Sequence, residues 1–120
     1  MLEGVAFALR DALDLVEELG GRPRVGRISG GGARSQLWLE IVASVLEMPL
    51  EATVVDEGAA YGAALLGGVA AGVWGDAREA VSACVKVTRT IEPRAEWVEP
   101  YAEARERFRG LYPALRPLQV

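Results

Sequence analysis

Three consecutive glycines, Gly30-Gly31-Gly32, stand between a short apolar run, Val25-Gly26-Arg27-Ile28, and a strongly amphipathic stretch that opens at Ser35. Three missing Cβ atoms in a strand-to-helix turn free the backbone to take positive φ and let something flat or anionic come close. The helix that follows aims its unsatisfied N–H groups and positive dipole end at the same spot. This arrangement suits a nucleotide, and a turn made only of glycine serves structure just as readily. A Walker loop is excluded, because no Lys-Ser/Thr pair follows the last glycine. The dinucleotide fingerprint is excluded too, since after Gly30-x-Gly32 its third glycine would fall where Ser35 stands. Arg34 could stack on a purine or pair with phosphate, or simply sit in solvent. Trp38 could flank a ligand, but at its helical position packing into the core is the simpler role.

Asp56-Glu57-Gly58 places two carboxylates between a strand and a helix. They could hold Mg²⁺ through water; the plainer reading has Asp56 as a cap and Glu57 opposing the helix dipole. Histidine is absent, which excludes Ser-His-Asp and Cys-His nucleophile systems and the usual histidine metal sites. Cys84 is the only cysteine, so no intramolecular disulfide can form, and it reads as a small buried hydrophobe.

The elements that must position these residues follow from periodicity. Residues 2–19 read as a helix with Val5, Leu9, Ala12, Leu13, Val16 and Leu19 on its apolar face, stopped by Gly20-Gly21-Arg22-Pro23. Residues 24–29 read as a strand. A helix over 36–47, capped by Ser35, has Leu37, Trp38, Ile41, Val42 and Val45 as its buried stripe and Gln36, Glu40, Ser44 and Glu47 as its wet one. A second strand spans 50–55. The helix over 57–71 is rich in glycine and alanine, with poor intrinsic propensity, so its small face is expected to lie buried against a neighbour. A short helix capped by Asp76 reaches Cys84, residues 85–91 are extended, and Pro93 to Pro100 reads as a loop. A last helix carries Tyr101, Ala104, Phe108, Leu111, Tyr112 and Leu115. The result is an α/β fold with few strands packed by several helices.

The chain has 120 residues, enough for one domain, and a net charge of −4. No helix face carries a surplus of arginine, so a nucleic-acid surface is excluded. Residues 58–75 carry no charge, yet six of these 18 residues are glycine and six are alanine, too weakly apolar for a membrane span. The opening Met1-Leu2-Glu3-Gly4-Val5 lacks a basic region and a cleavage site, so the chain is expected to be cytoplasmic, with no membrane partner.

Gly30-Gly31-Gly32-Ala33-Arg34-Ser35-x-x-Trp38, Met48-Pro49-Leu50 and Glu57-Gly58-Ala59-Ala60-Tyr61-Gly62-Ala63-Ala64 together resemble the C-terminal segment of the FGGY family of carbohydrate kinases. The opening helix from Leu2 and the closing Phe108-x-x-Leu111-Tyr112-x-x-Leu115 helix extend the resemblance over essentially the whole chain. It implies a ribonuclease-H-like (actin-like ATPase) fold of two domains, with ATP and sugar in the cleft between them. Residues 1–120 would form a single unit, the C-terminal part of the second, nucleotide-binding domain. The implied nucleotide-contacting set is Gly30, Gly31, Gly32, Ala33, Arg34 and Gln36, with Arg34 and Gln36 flanking the base and Ala63 packing behind the site. ATP or ADP is the implied ligand, as Mg-ATP in the full-length family enzyme, and the implied activity is ATP-dependent phosphorylation of a ketopentose.

In that family the phosphate-binding hairpin, the Mg²⁺-associated acidic residues and the catalytic aspartate lie upstream of these motifs. No catalytic residue and no metal ligand is therefore assigned here. Phosphoryl transfer needs groups on several sides of the γ-phosphate, so the chain alone is expected to be inactive and to meet sugar only together with such a region. Two alternatives stay open: a free-standing nucleotide-binding or regulatory module, and a homo-oligomeric interaction protein whose surplus apolar surface forms the interface.

Overall fold

The computed structural model describes residues 2–55 and 58–118. Helix α1 (Leu2–Glu18) leads to strand β1 (Gly26–Ile28), a 3-10 turn (Gly31–Arg34), helix α2 (Gln36–Leu46) and strand β2 (Leu50–Thr53). Helices α3 (Gly58–Ala70) and α4 (Ala77–Cys84), strand β3 (Val87–Ile91), helix α5 (Ala95–Leu115) and a 3-10 turn (Arg116–Leu118) complete the described chain.

The sheet has the order β1-β2-β3. β1 and β2 are parallel, with Gly26 opposite Leu50 and Ile28 opposite Ala52, the crossover between them being α2. β3 runs antiparallel to β2, pairing Ile91 with Leu50 and Arg89 with Ala52, and the register shifts between Ala52 and Thr53. At that irregularity the Thr88 hydroxyl donates to the Ala52 carbonyl at 3.0 Å. The extended segment foreseen near residue 91 is therefore a third strand of the sheet.

The core gathers on α2. Leu39, Ile41, Val42, Ala43 and Val45 meet Ala6 and Phe7 of α1 and Leu50, Ala52 and Ile91 of the sheet. Phe7 stacks edge-on against Tyr101, with ring centres 6.1 Å apart, and tilts against Phe108 at 5.6 Å. These contacts explain where periodicity misleads. On α1 the apolar stripe of Val5, Leu9 and Val16 is exposed, while Ala6 and Phe7 are buried because the α5 aromatics lie on that side. On α2, Leu37 is 55% exposed and Ser44 is fully buried, its hydroxyl donating to the Glu40 carbonyl at 2.7 Å and accepting from the Arg94 amide at 2.9 Å.

Helix α5 begins at Ala95, inside the stretch read as a loop, and contains Pro100. Trp97 and Tyr101, one turn apart, both pack against the core, and that burial outweighs the one backbone bond the proline cannot donate. The small face of α3 is not buried: Leu65 alone is, while Ala59, Ala60, Ala63 and Ala64 are exposed. Its neighbour is α4, where the Cys84 carbonyl accepts a hydrogen bond from Tyr61 Oη at 2.9 Å. Cys84 itself is half-buried.

Several terminators are as the sequence implies. Gly20 takes φ 89° while the Gly21 amide bonds back to the Val16 carbonyl at 2.9 Å, closing α1. Asp76 Oδ1 accepts from the Glu79 amide at 2.8 Å, capping α4. Among the described residues no helix is long and apolar enough to cross a membrane.

Candidate functional site

The glycine turn leaves the C-terminal end of β1 and feeds the N-terminus of α2. The end of β2 lies beside it, and Ser29 meets the first residue of α3, where a Cβ on Gly58 would stand 2.5 Å from Ser29 Oγ. Loops at the carboxyl ends of parallel strands are where α/β sheets bind ligands. A cavity of about 230 Å³, lined by Ile28, Ser29, Thr53, Gly58, Tyr61 and Leu65 among others, opens between these strand ends and the α3–α4 pair.

The three glycines are not equivalent. Gly30, at φ 88° and ψ −174°, is the one that takes the backbone into the region L side chains avoid. Its carbonyl accepts from the Ala33 amide at 3.0 Å, and the Gly32 carbonyl accepts from Ser35 at 3.1 Å, which closes the turn. Gly32 lies under the indole of Trp38: a Cβ there would meet Nε1 at 3.0 Å and Cδ1 at 3.1 Å. Trp38 thus packs partly into the core and against the turn, the role the helical position favours. Gly31 is exposed, and a Cβ placed on it would meet nothing within 4 Å. The turn therefore offers one open face at Gly31.

Ser35 ends the turn and caps α2, its Oγ accepting from the Trp38 amide at 3.3 Å. Ala33 buries its methyl group and Arg34 is exposed. Gln36, in the first turn of α2, is also exposed, but both ends of its carboxamide are engaged. Nε2 donates to Glu40 Oε1 at 2.8 Å, and Oε1 accepts from Arg89 Nη1 at 3.1 Å. Arg89 Nη2 also donates to the Ala33 carbonyl at 2.7 Å. Glu40 in turn accepts from Arg94 Nε at 2.9 Å, and the Arg94 guanidinium sits 4.7 Å above the Trp97 ring. The Gln36 hydrogen bond, then Arg94, holds the Glu40 carboxyl below the usual carboxylate range.

The structure thus places Gly30, Gly31, Gly32, Ala33 and Arg34 on one turn and Gln36 at the start of the helix that follows it. Ala63, expected behind them, is exposed on α3. The carboxylates Asp56 and Glu57, weighed above as Mg²⁺ holders or as caps, lie outside the described residues. Among the described residues no group of three or more Asp, Glu, Cys or His could hold a metal ion. Arg89 is the participant that sequence reasoning missed. It stands on a short exposed strand 53 residues from Gln36, where neither periodicity nor a motif marks it.

Residues 1–71 match the model of the FGGY family of carbohydrate kinases, C-terminal domain. The chain is 36% identical over 121 residues to the xylulose kinase of Escherichia coli strain K12, covering all of this chain and 25% of that protein. It is 34% identical over 90 residues to the autoinducer-2 kinase of Salmonella typhimurium strain LT2, covering 75% of this chain and 17% of the other. Among solved structures, xylulose kinase from Rhodospirillum rubrum superposes with a TM-score of 0.80 at 32% identity, over 98% of this chain and 24% of that one. The xyloylose kinase from Brucella ovis superposes with a TM-score of 0.84 at 39% identity, over 98% and 25%. The chain spans a quarter or less of the length of these relatives.

Proposed function

The chain belongs to the FGGY family of carbohydrate kinases, with its actin-like ATPase fold, and from that premise we propose that its glycine turn is the adenosine-facing wall of an ATP site. One observation carries the reading: Gly31 presents an exposed backbone face where even a methyl group is missing and nothing else intrudes. A purine or ribose can lie against such a face at van der Waals distance, which any side chain would prevent. Gly30 shapes the turn, Gly32 and Ala33 extend the wall through their backbone, and Arg34 and Gln36 border it. The single unit of residues 1–120 acts as the C-terminal part of a nucleotide-binding domain.

The reaction we propose for the whole enzyme is ATP-dependent phosphorylation of xylulose to xylulose 5-phosphate, in keeping with the xylulose kinases it resembles. Bound ATP, as its Mg²⁺ complex, supplies the phosphoryl group. What this chain's own residues do is bind and orient: the turn fixes the adenosine end and so sets where the phosphates point. Stabilising the transferring phosphoryl group needs charge on several of its sides, and the turn offers one wall. The 120-residue chain by itself therefore binds nucleotide without phosphorylating sugar.

Isothermal titration checks this. ATP, ADP and adenosine should bind weakly and with similar strength, and Gly31→Val should abolish the binding of all three while leaving the circular dichroism spectrum unchanged. Submicromolar ATP affinity that depends on the γ-phosphate, or wild-type binding by Gly31→Val, would overturn the reading.

A further inference from the structure

We propose that Arg89 is a positioning residue for the nucleotide wall, a clamp from β3 that holds the glycine turn in its binding shape. The inference rests on the adenosine reading above and adds a residue that lies outside the turn. Its basis is geometric. One guanidinium donates from Nη2 to the Ala33 carbonyl at 2.7 Å and from Nη1 to Gln36 Oε1 at 3.1 Å. The two acceptors belong to the end of the 3-10 turn and the start of α2, the two segments whose relative placement decides where Gly31 faces. A planar fork suits this task, since its donors are fixed with respect to one another. The clamp is itself braced. Gln36 Nε2 is held by Glu40, and Glu40 is held by Arg94, whose amide bonds to Ser44 Oγ in the core of α2. The register irregularity of β3 lies immediately before Arg89, a device that commonly re-aims a side chain.

Arg89 is placed to hold the turn through its acceptors, which separates this role from that of a phosphate ligand. Arg89→Ala should weaken adenosine, ADP and ATP by the same factor, about tenfold, the loss expected when charge-assisted hydrogen bonds that order a site are removed. Arg89→Lys should recover part of the loss, because an ammonium can satisfy one of the two acceptors but not both in the fork geometry. In the nucleotide-free chain, ¹⁵N relaxation should show the order parameters of Gly31, Gly32 and Ala33 falling from about 0.85 towards 0.6 in Arg89→Ala, with those of Ile41 to Val45 unchanged.

A loss that grows from adenosine to ATP would make Arg89 a phosphate contact and overturn the proposal. Unchanged order in the turn would overturn it as well, with or without nucleotide. If the wild-type chain binds none of the three ligands, the adenosine reading fails and the binding half of this inference with it. The order parameters then decide separately whether Arg89 holds the turn.

Discussion

Gly30, Gly31 and Gly32 form one run in the sequence and do three different jobs in the fold. Gly30 supplies a backbone angle, Gly31 an open face and Gly32 a seat for the Trp38 ring. The run itself was legible as a close-approach turn; the division of labour was not, because it depends on where an indole six residues away comes to rest. Arg89 was illegible for the same reason, since its two acceptors are brought to it only by the fold. Individual charges matter elsewhere too. Asp14 of α1 accepts hydrogen bonds from Arg105 of α5 and from Arg10, the latter at 2.8 Å, and its carboxyl is held below the usual range first by Arg105. A folded pKa below the unfolded value of about 3.9 means stabilisation that is complete above that value and lost as the pH falls through the folded one. Asp14→Asn should therefore cost about 1 kcal/mol in urea unfolding at pH 7, and the gap from wild type should narrow at an acid pH well under the unfolded carboxylate value of about 3.9. A gap of the same size at both pH values would show that the charge plays no part.

At the scale of elements, burial decides which apolar face matters. Helix α2 is covered by α1, the sheet and α5, so Leu39 and Ala43 are buried together with Ser44, and no single stripe describes it. Leu39→Ala should destabilise the chain by about 3 kcal/mol through the cavity it leaves, whereas Leu37→Ala should change stability by less than about 0.5 kcal/mol. Thermal and urea unfolding of the two variants check this, and equal losses would mean that the helix is rotated from the orientation described. The helices and their caps were legible from 3.6-residue periodicity and from Ser35, Asp76 and Gly20. Which face turns inward was not, because periodicity reports that a face exists and not which partner it has. Phe7 shows this, buried off the main stripe of α1 by Tyr101 and Phe108. Pro100 shows the complementary failure, a strong local stop overridden by the packing of Trp97 and Tyr101.

As a whole the molecule is extended. Its radius of gyration is 17.6 Å, against about 14 Å expected for a compact domain of this length. It leaves two faces that no described element covers: the Leu2, Val5, Leu9 and Val16 stripe of α1, and the small-residue face of α3, where only Leu65 is buried. The glycine turn, by contrast, is closed by its own hydrogen bonds and clamped from β3, so it keeps its shape without such cover. Whether this turn meets the adenosine end of a nucleotide, as proposed, is tested most directly by amide chemical-shift mapping of the ¹⁵N-labelled chain. Titration with adenosine should shift Gly31, Gly32, Ala33 and Arg34 most, and ATP should move the same amides in the same direction. Shifts centred on any other segment, or none in the turn at saturating ATP, would contradict it.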